Sequence, residues 1–286
     1  MVNMEALEGL QQALAPTSTR VVVLDGGLAT ELEKDARVEL GASSLWSASL
    51  LLERNAHLQH VVVDAHTNYF LAGADVATTV SYQASVDGFK REGVDSLEQV
   101  EQLFAKSIDL AVQARNLAWA QLKAQSSDRI KPLEYRGDYG KTKDELVAWH
   151  KDRFAFFVNY TGADILVCET IPCLAEVEAF VQLLNEYPTA YAIIALLSIG
   201  INCTPPHFVE ALLRNLDVPF PKAVYPNSGE CWDGKAKTWL PATTAGAASS
   251  WDEYLPKWRA AGARVFGGCC RTSPADISAM RLHFQQ

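Results

Sequence analysis

Short apolar runs alternate with longer stretches of helical periodicity along almost the whole chain, and no other feature narrows the choice of fold as much. Candidate strands fall at residues 21–24, 74–82, 130–133, 164–168, 190–196, 199–202, 223–225 and 264–266. Candidate helices fall at 52–72, 96–124, 141–161, 175–184, 206–216, 251–261 and 274–283. The first of these places Leu58, Val62, Ala65 and Tyr69 on one side, and Gly73 stands where a capping glycine ends a helix. The strands are apolar throughout rather than alternating, as in a sheet covered on both faces. Repeated strand–helix units call for a parallel sheet. Eight strand candidates point to a (β/α)8 TIM barrel, with an open doubly wound sheet as the runner-up. No shift in composition marks a boundary, so residues 1–286 read as a single domain, and the polar, turn-rich segment 229–250 reads as a surface excursion.

The alternation is interrupted twice. The candidate strand at 190–196 runs almost directly into the next, although parallel neighbours need a crossover of about a dozen residues. The candidate at 130–133 is short beside the usual strand of about five residues. Either residues 190–202 form one bent strand or a crossover is absent there.

A chain of 286 residues can bury a sizeable core without disulfides. Its net charge of −9 and lack of a basic stripe argue against nucleic acid as a partner. No apolar run is long enough to span a bilayer, and the acidic first 15 residues do not resemble a signal peptide. Six cysteines in a chain of this length do not resemble a secreted disulfide scaffold. A reducing, cytoplasmic setting is the expectation, in which cysteine serves metal binding or catalysis.

The strongest local feature is Gly267-Gly268-Cys269-Cys270-Arg271-Thr272, between an apolar strand and a helix. In a barrel this is the C-terminal strand end, where catalytic groups gather. Cys203 occupies another strand-to-helix junction, Ile201-Asn202-Cys203-Thr204. Parallel strands open on one face, so the three thiols can converge. Three ligands with a vacant fourth position are the arrangement of catalytic zinc, and thiolates select zinc over hard cations. Buried apolar cysteines and a structural zinc site are the other readings of the same residues. Asp25, followed by two glycines, ends the first strand; it is either a carboxylate at the barrel mouth or part of a plain turn. Glu169 follows the strand at 164–168, where it binds a substrate amino group or caps the next helix. Cys168, Cys173 and Cys231 read as packing or incidental residues. The histidines fall mostly on helices, His207 lying nearest to a site cysteine. No dinucleotide fingerprint, P-loop or nucleophile elbow is present.

Taken together, these motifs resemble the homocysteine S-methyltransferase family. The resemblance rests on Val23-Leu24-Asp25-Gly26-Gly27, Leu45-Trp46-Ser47, Ala72-Gly73-Ala74-Asp75 and Thr78-Thr79-Val80-Ser81-Tyr82-Gln83-Ala84-Ser85. It continues through Glu134-Tyr135-Arg136-Gly137-Asp138-Tyr139, Asp164-Ile165-Leu166-Val167-Cys168-Glu169-Thr170, Gly200-Ile201-Asn202-Cys203 and the Gly-Gly-Cys-Cys-Arg stretch. It implies a (β/α)8 barrel holding one Zn2+ on Cys203, Cys269 and Cys270. It implies that Asp25 and Glu169 hold the amino-acid end of homocysteine, and that Trp46 and Thr79 line the pocket. The branch using S-methylmethionine or S-adenosylmethionine fits the chain better than the betaine-dependent branch. Family members carry longer segments at the two interruptions noted above, so the resemblance implies segments missing near 133–134 and 196–198.

The expected reaction is zinc-dependent transfer of a methyl group from such a sulfonium donor to the thiol of homocysteine, giving methionine. Three alternatives remain: a non-catalytic zinc-stabilised barrel, a homocysteine- or selenocysteine-binding relative with another donor, and a thiol-redox protein using Cys269 and Cys270. The sequence is silent on the donor, on sulfur against selenium, and on oligomeric state.

Overall fold

A computed structural model of the chain describes residues 12–14, 18–122, 142–159, 174–187, 198–233, 238–240 and 251–285. Among them, four parallel strands form one sheet: β1 (Val22–Val23), β2 (Ile199–Asn202), β3 (Lys222–Tyr225) and β6 (Ala263–Phe266), in the order β1-β6-β3-β2. Leu24 adds a parallel bridge to Val76 on the free side of β1. The fold is therefore α/β with a parallel sheet, and the sheet is not closed into a barrel over the described residues. Three expected strands, at 130–133, 164–168 and 190–196, lie outside those residues.

Alternation along β1, β3 and β6 sends side chains to two buried faces, whereas β2, at the edge of the described sheet, is exposed to half-buried. Val23, Val224 and Phe266 join one cluster with Leu213, Leu255, Trp258 and Ile277 of the flanking helices. Val22, Ala223 and Val265 point the other way and are covered by Ala13, Leu14 and Val76. Burial on both sides explains the uninterrupted apolar runs in the sequence.

The expected helices are present wherever the chain is described. Leu52 is extended and begins a short 3-10 turn over Glu53–Leu58, which leads into the helix Gln59–Ala72. Leu58, Val62, Ala65 and Tyr69 are all buried, and Gly73, at φ 118°, ends the helix in a left-handed cap. That helix packs on the long helix Leu97–Leu122, whose first turn is capped by the Ser96 hydroxyl accepting from Gln99 N–H at 3.1 Å. A second cluster, from Leu32 through Leu51, Val62 and Phe104, fills the space between these helices. No helix among the described residues is long and apolar enough to cross a membrane.

One sequence expectation is corrected and another is filled in. The strand expected over 74–82 is reduced to the single bridge at Val76, followed by a turn from Val80. The reason is local: Asp75 and Val76 N–H donate to Val23 O, but Thr78 N–H is captured by the Asp25 carboxylate at 2.6 Å. The ladder therefore ends there. The excursion at 229–250 contains a two-stranded antiparallel ribbon, β4 (Cys231–Asp233) with β5 (Thr238–Leu240). Two three-residue strands set among polar turn residues leave too little alternation to be seen in the sequence.

Candidate metal centre

The C-terminal ends of the parallel strands bring the expected thiols together. Cys203 follows β2 directly and Cys269 stands three residues beyond β6, with β3 running between these two strands. The Sγ atoms of Cys203, Cys269 and Cys270 all lie within 4.8 Å of one another. Cys203 Sγ is 3.5 Å from Cys270 Sγ, and Cys269 Sγ is 4.0 Å from Cys270 Sγ. None of the three is in a disulfide and each is half-buried. Among the described residues this is the only group of three or more cysteine, histidine or acidic side chains arranged to hold a metal ion. His207 is not part of it; that ring is exposed and lies against Phe208.

The local backbone explains the convergence. Cys203 adopts a left-handed conformation, φ 42°, which is unfavourable for a residue with a side chain. Its N–H donates to Tyr225 O at 3.0 Å. Gly267 N–H donates to Val224 O at 2.9 Å and Cys269 N–H to Pro226 O at 2.7 Å, so the dicysteine loop hangs from the end of β3. On its other flank this loop packs against Asp25-Gly26-Gly27. A methyl group on Gly27 would sit 2.7 Å from Cys269 O, so only glycine permits the approach. Thr272, fully buried, stitches the two segments: its hydroxyl donates to Cys269 O at 2.6 Å and accepts from Gly27 N–H at 3.1 Å. The Tyr69 hydroxyl sits 3.1 Å from Gly27 O and 3.0 Å from Thr272 O. In the sequence, Thr272 closes the Gly-Gly-Cys-Cys motif and Tyr69 falls on a helix face, but neither position announces a part in the site.

Crowding governs the protonation of the thiols. The Cys203 thiol beside it, together with burial, pushes Cys270 up to about 12. The neighbouring thiols and burial likewise raise Cys269. Cys269 and Cys270 therefore keep their protons unless a cation offsets the charge, which is the behaviour of a metal site before metallation.

Asp25 lies at the same end of the sheet, its carbonyl accepting from Gly268 N–H at 2.9 Å. Its carboxyl is buried, and burial pushes it up to about 8 against the opposing hydrogen bonds from Thr78. The Thr78 hydroxyl lies 3.0 and 2.9 Å from the two carboxyl oxygens. Thr79, singled out in the sequence, instead places its hydroxyl 2.7 Å from that of Ser81. Trp46, at φ 47°, packs its ring 5.1 Å from that of Tyr82. Glu169, Cys168 and Cys173 lie outside the described residues.

The sequence model of the homocysteine S-methyltransferase family matches residues 22–196 and 189–284. The chain is 37% identical to homocysteine S-methyltransferase YbgG of Bacillus subtilis (strain 168), covering 90% of this chain and 92% of that protein. It is 37% identical to the homocysteine S-methyltransferase of Escherichia coli (strain K12), covering 91% and 94%. A metallated structure of the homocysteine methyltransferase MmuM from Escherichia coli superposes with a TM-score of 0.72 at 34% identity, covering 92% of this chain and 96% of that one. The alignment to the Bacillus protein runs over 304 positions, more than the 286 residues of the chain, so that relative carries residues with no counterpart here.

Proposed function

The chain belongs to the homocysteine S-methyltransferase family, and from that premise we propose that Cys203, Cys269 and Cys270 hold a zinc ion at which homocysteine is methylated by a sulfonium donor, S-methylmethionine or S-adenosylmethionine. The carrying observation is the convergence of three sulfurs from two strand ends. Zinc–sulfur bonds of about 2.3 Å in a tetrahedron set sulfur–sulfur edges of roughly 3.8 Å. The separations of 3.5 and 4.0 Å bracket that value. Three soft donors suit zinc over magnesium or calcium, and three protein ligands leave the fourth corner for substrate.

A free alkyl thiol titrates near 8.5 and is mostly protonated at neutral pH. Zinc, when bound, supplies the positive charge that keeps the sulfur of homocysteine as a thiolate. The chain's own residues then bind and orient. Asp25, held by Thr78, receives the ammonium group of homocysteine, with Glu169 as its partner in that task. The Trp46–Tyr82 aromatic pair supplies a face for the cationic donor, and Thr79 forms part of the wall. The homocysteine sulfur attacks the methyl carbon and forms the new sulfur–carbon bond. The bond from that carbon to the sulfonium breaks, and its electron pair stays on the departing neutral thioether. The proton of the homocysteine thiol has by then passed to solvent. Holding the two partners in line accounts for much of the rate.

The same reading places these residues at the mouth of a single (β/α)8 barrel. In its support, the first described strand pairs with the last, while Val76, next in the chain, pairs with the first strand on its other side. An order that wraps from last strand to first favours a closed barrel over a doubly wound sheet.

The test combines metal analysis with turnover. The unaltered protein is expected to carry stoichiometric zinc and to convert homocysteine to methionine with one of the two donors. Cys203→Ala, Cys269→Ala and Cys270→Ala are each expected to lose zinc and activity together. Full turnover in a zinc-free variant would overturn the assignment.

A further inference from the structure

All three cysteines are tied through their backbones to one loop that carries no cysteine itself. β3 lies between β2 and β6, so the loop after it, Tyr225-Pro226-Asn227-Ser228-Gly229, lies between the Cys203 junction and the Cys269-Cys270 junction. Tyr225 O accepts from Cys203 N–H at 3.0 Å, Pro226 O from Cys269 N–H at 2.7 Å, and Ser228 N–H donates to Cys270 O at 3.1 Å. Asn227 supplies the remaining ties. Its N–H donates to Thr204 O at 3.2 Å, and its side-chain Nδ2 donates to Cys203 O at 3.1 Å. Its Oδ1 accepts from Gly229 N–H at 2.9 Å, closing a turn in which Gly229 takes φ 88°. These two partners fix the orientation of the amide, because a carbonyl needs a donor and an N–H needs an acceptor.

We propose that Asn227 is the positioning residue of the three-thiol site: it holds Cys203 in its left-handed conformation and so sets where that sulfur stands relative to the other two. The assignment rests on the reading of the thiols as a metal site. Cys203 at φ 42° is held against a cost of about 1–2 kcal/mol for a residue with a side chain. Asn227 is only 7% exposed, and its amide grips the carbonyl of that same cysteine. Without it, the Cys203 peptide is free to relax and its sulfur to swing away. An aspartate is the informative replacement. It has the same size and keeps the acceptor for Gly229, but it turns an oxygen towards Cys203 O in place of a donor.

The test uses Zn2+ and Co2+ alone as probes on the full chain, with Asn227→Asp and Asn227→Ala beside the unaltered protein. Zinc affinity is read by competition with a chromogenic chelator, and site geometry by the absorption bands of the cobalt-loaded protein. Both variants are expected to hold zinc about 10–100-fold more weakly and to show shifted cobalt bands, with far-UV circular dichroism unchanged. Should Asn227→Ala fail to fold, Asn227→Asp carries the test by itself. Unchanged zinc affinity and unchanged cobalt bands in a folded variant would overturn the role of Asn227. If the unaltered chain takes up neither ion, the metal-site reading itself falls.

Discussion

Asp25 carries opposite demands from stability and from binding. Its carboxyl is buried and rises to about 8, so the folded protein retains a proton that the unfolded chain releases near pH 4. This group's contribution to stability is therefore complete below about pH 4 and is lost as pH climbs towards 8, where the buried carboxyl ionises. A neutral amide in its place would avoid that loss while still accepting from Thr78. Asp25→Asn is expected to raise the melting temperature by about 2–6 °C at pH 8 and to have little effect at pH 4. Because the proposed function gives Asp25 the ammonium group of homocysteine, the same change is also expected to raise KM for homocysteine: an amide cannot ionise to supply the counter-charge. A melting temperature lowered at pH 8, or an unchanged KM, would refute the argument. Asp25 is legible in the sequence as a carboxylate ending a strand, and the cysteines as thiols at strand ends. The roles of Thr78 and Asn227 are not. Their partners lie 53 and 24 residues away, and Thr and Asn are ordinary loop residues until the contacts are seen.

At the scale of elements, the C-terminal helix Pro274–Gln285 is locked to the first strand by a buried ion pair. Arg281 bonds the carboxylate of Asp75, and its Nε donates to Gly73 O at 2.9 Å. The same carboxylate accepts from Val23 N–H at 2.9 Å, so one group joins β1, the cap of Gln59–Ala72 and the last helix. Asp75 is 1% exposed and Arg281 13%, so removing the cation leaves a buried anion without its partner. Arg281→Ala is expected to cost about 3–5 kcal/mol. That loss should show as a lower urea midpoint at unchanged m-value, with no change in zinc content. A midpoint equal to that of the unaltered protein would sink the claim. The helices themselves are readable from periodicity and from terminators such as Gly73 and Gly262. The segment after Gly73 is not, because Val and Thr have the composition of a strand whether or not their N–H groups find a ladder. Here Asp25 takes the N–H of Thr78 and the ladder stops.

At the scale of the whole molecule, the zinc ion of the proposed function could serve either the reaction or the fold. In small zinc domains the metal supplies most of the folding free energy and removing it unfolds the chain. This protein has other means of holding together. The strand order joins β1 to β6 without help from the thiols, and separate apolar clusters lie on the two faces of the sheet and between the helices. The three cysteines sit on loops beyond the strand ends, outside those clusters. Zinc should therefore add only the linkage term for an ion that binds the folded state, about 3–4 kcal/mol at free zinc 100 to 1,000 times the dissociation constant. For a chain of this length that is an increase of roughly 6–16 °C in melting temperature. The metal-free protein is expected to keep its far-UV circular dichroism and a single cooperative transition, and to recover activity when zinc is restored. Loss of secondary structure on chelation would instead make the ion a structural staple and leave the open fourth corner without a purpose. The contrast is sharp because a catalytic site can be emptied and refilled in a folded chain, whereas a staple cannot.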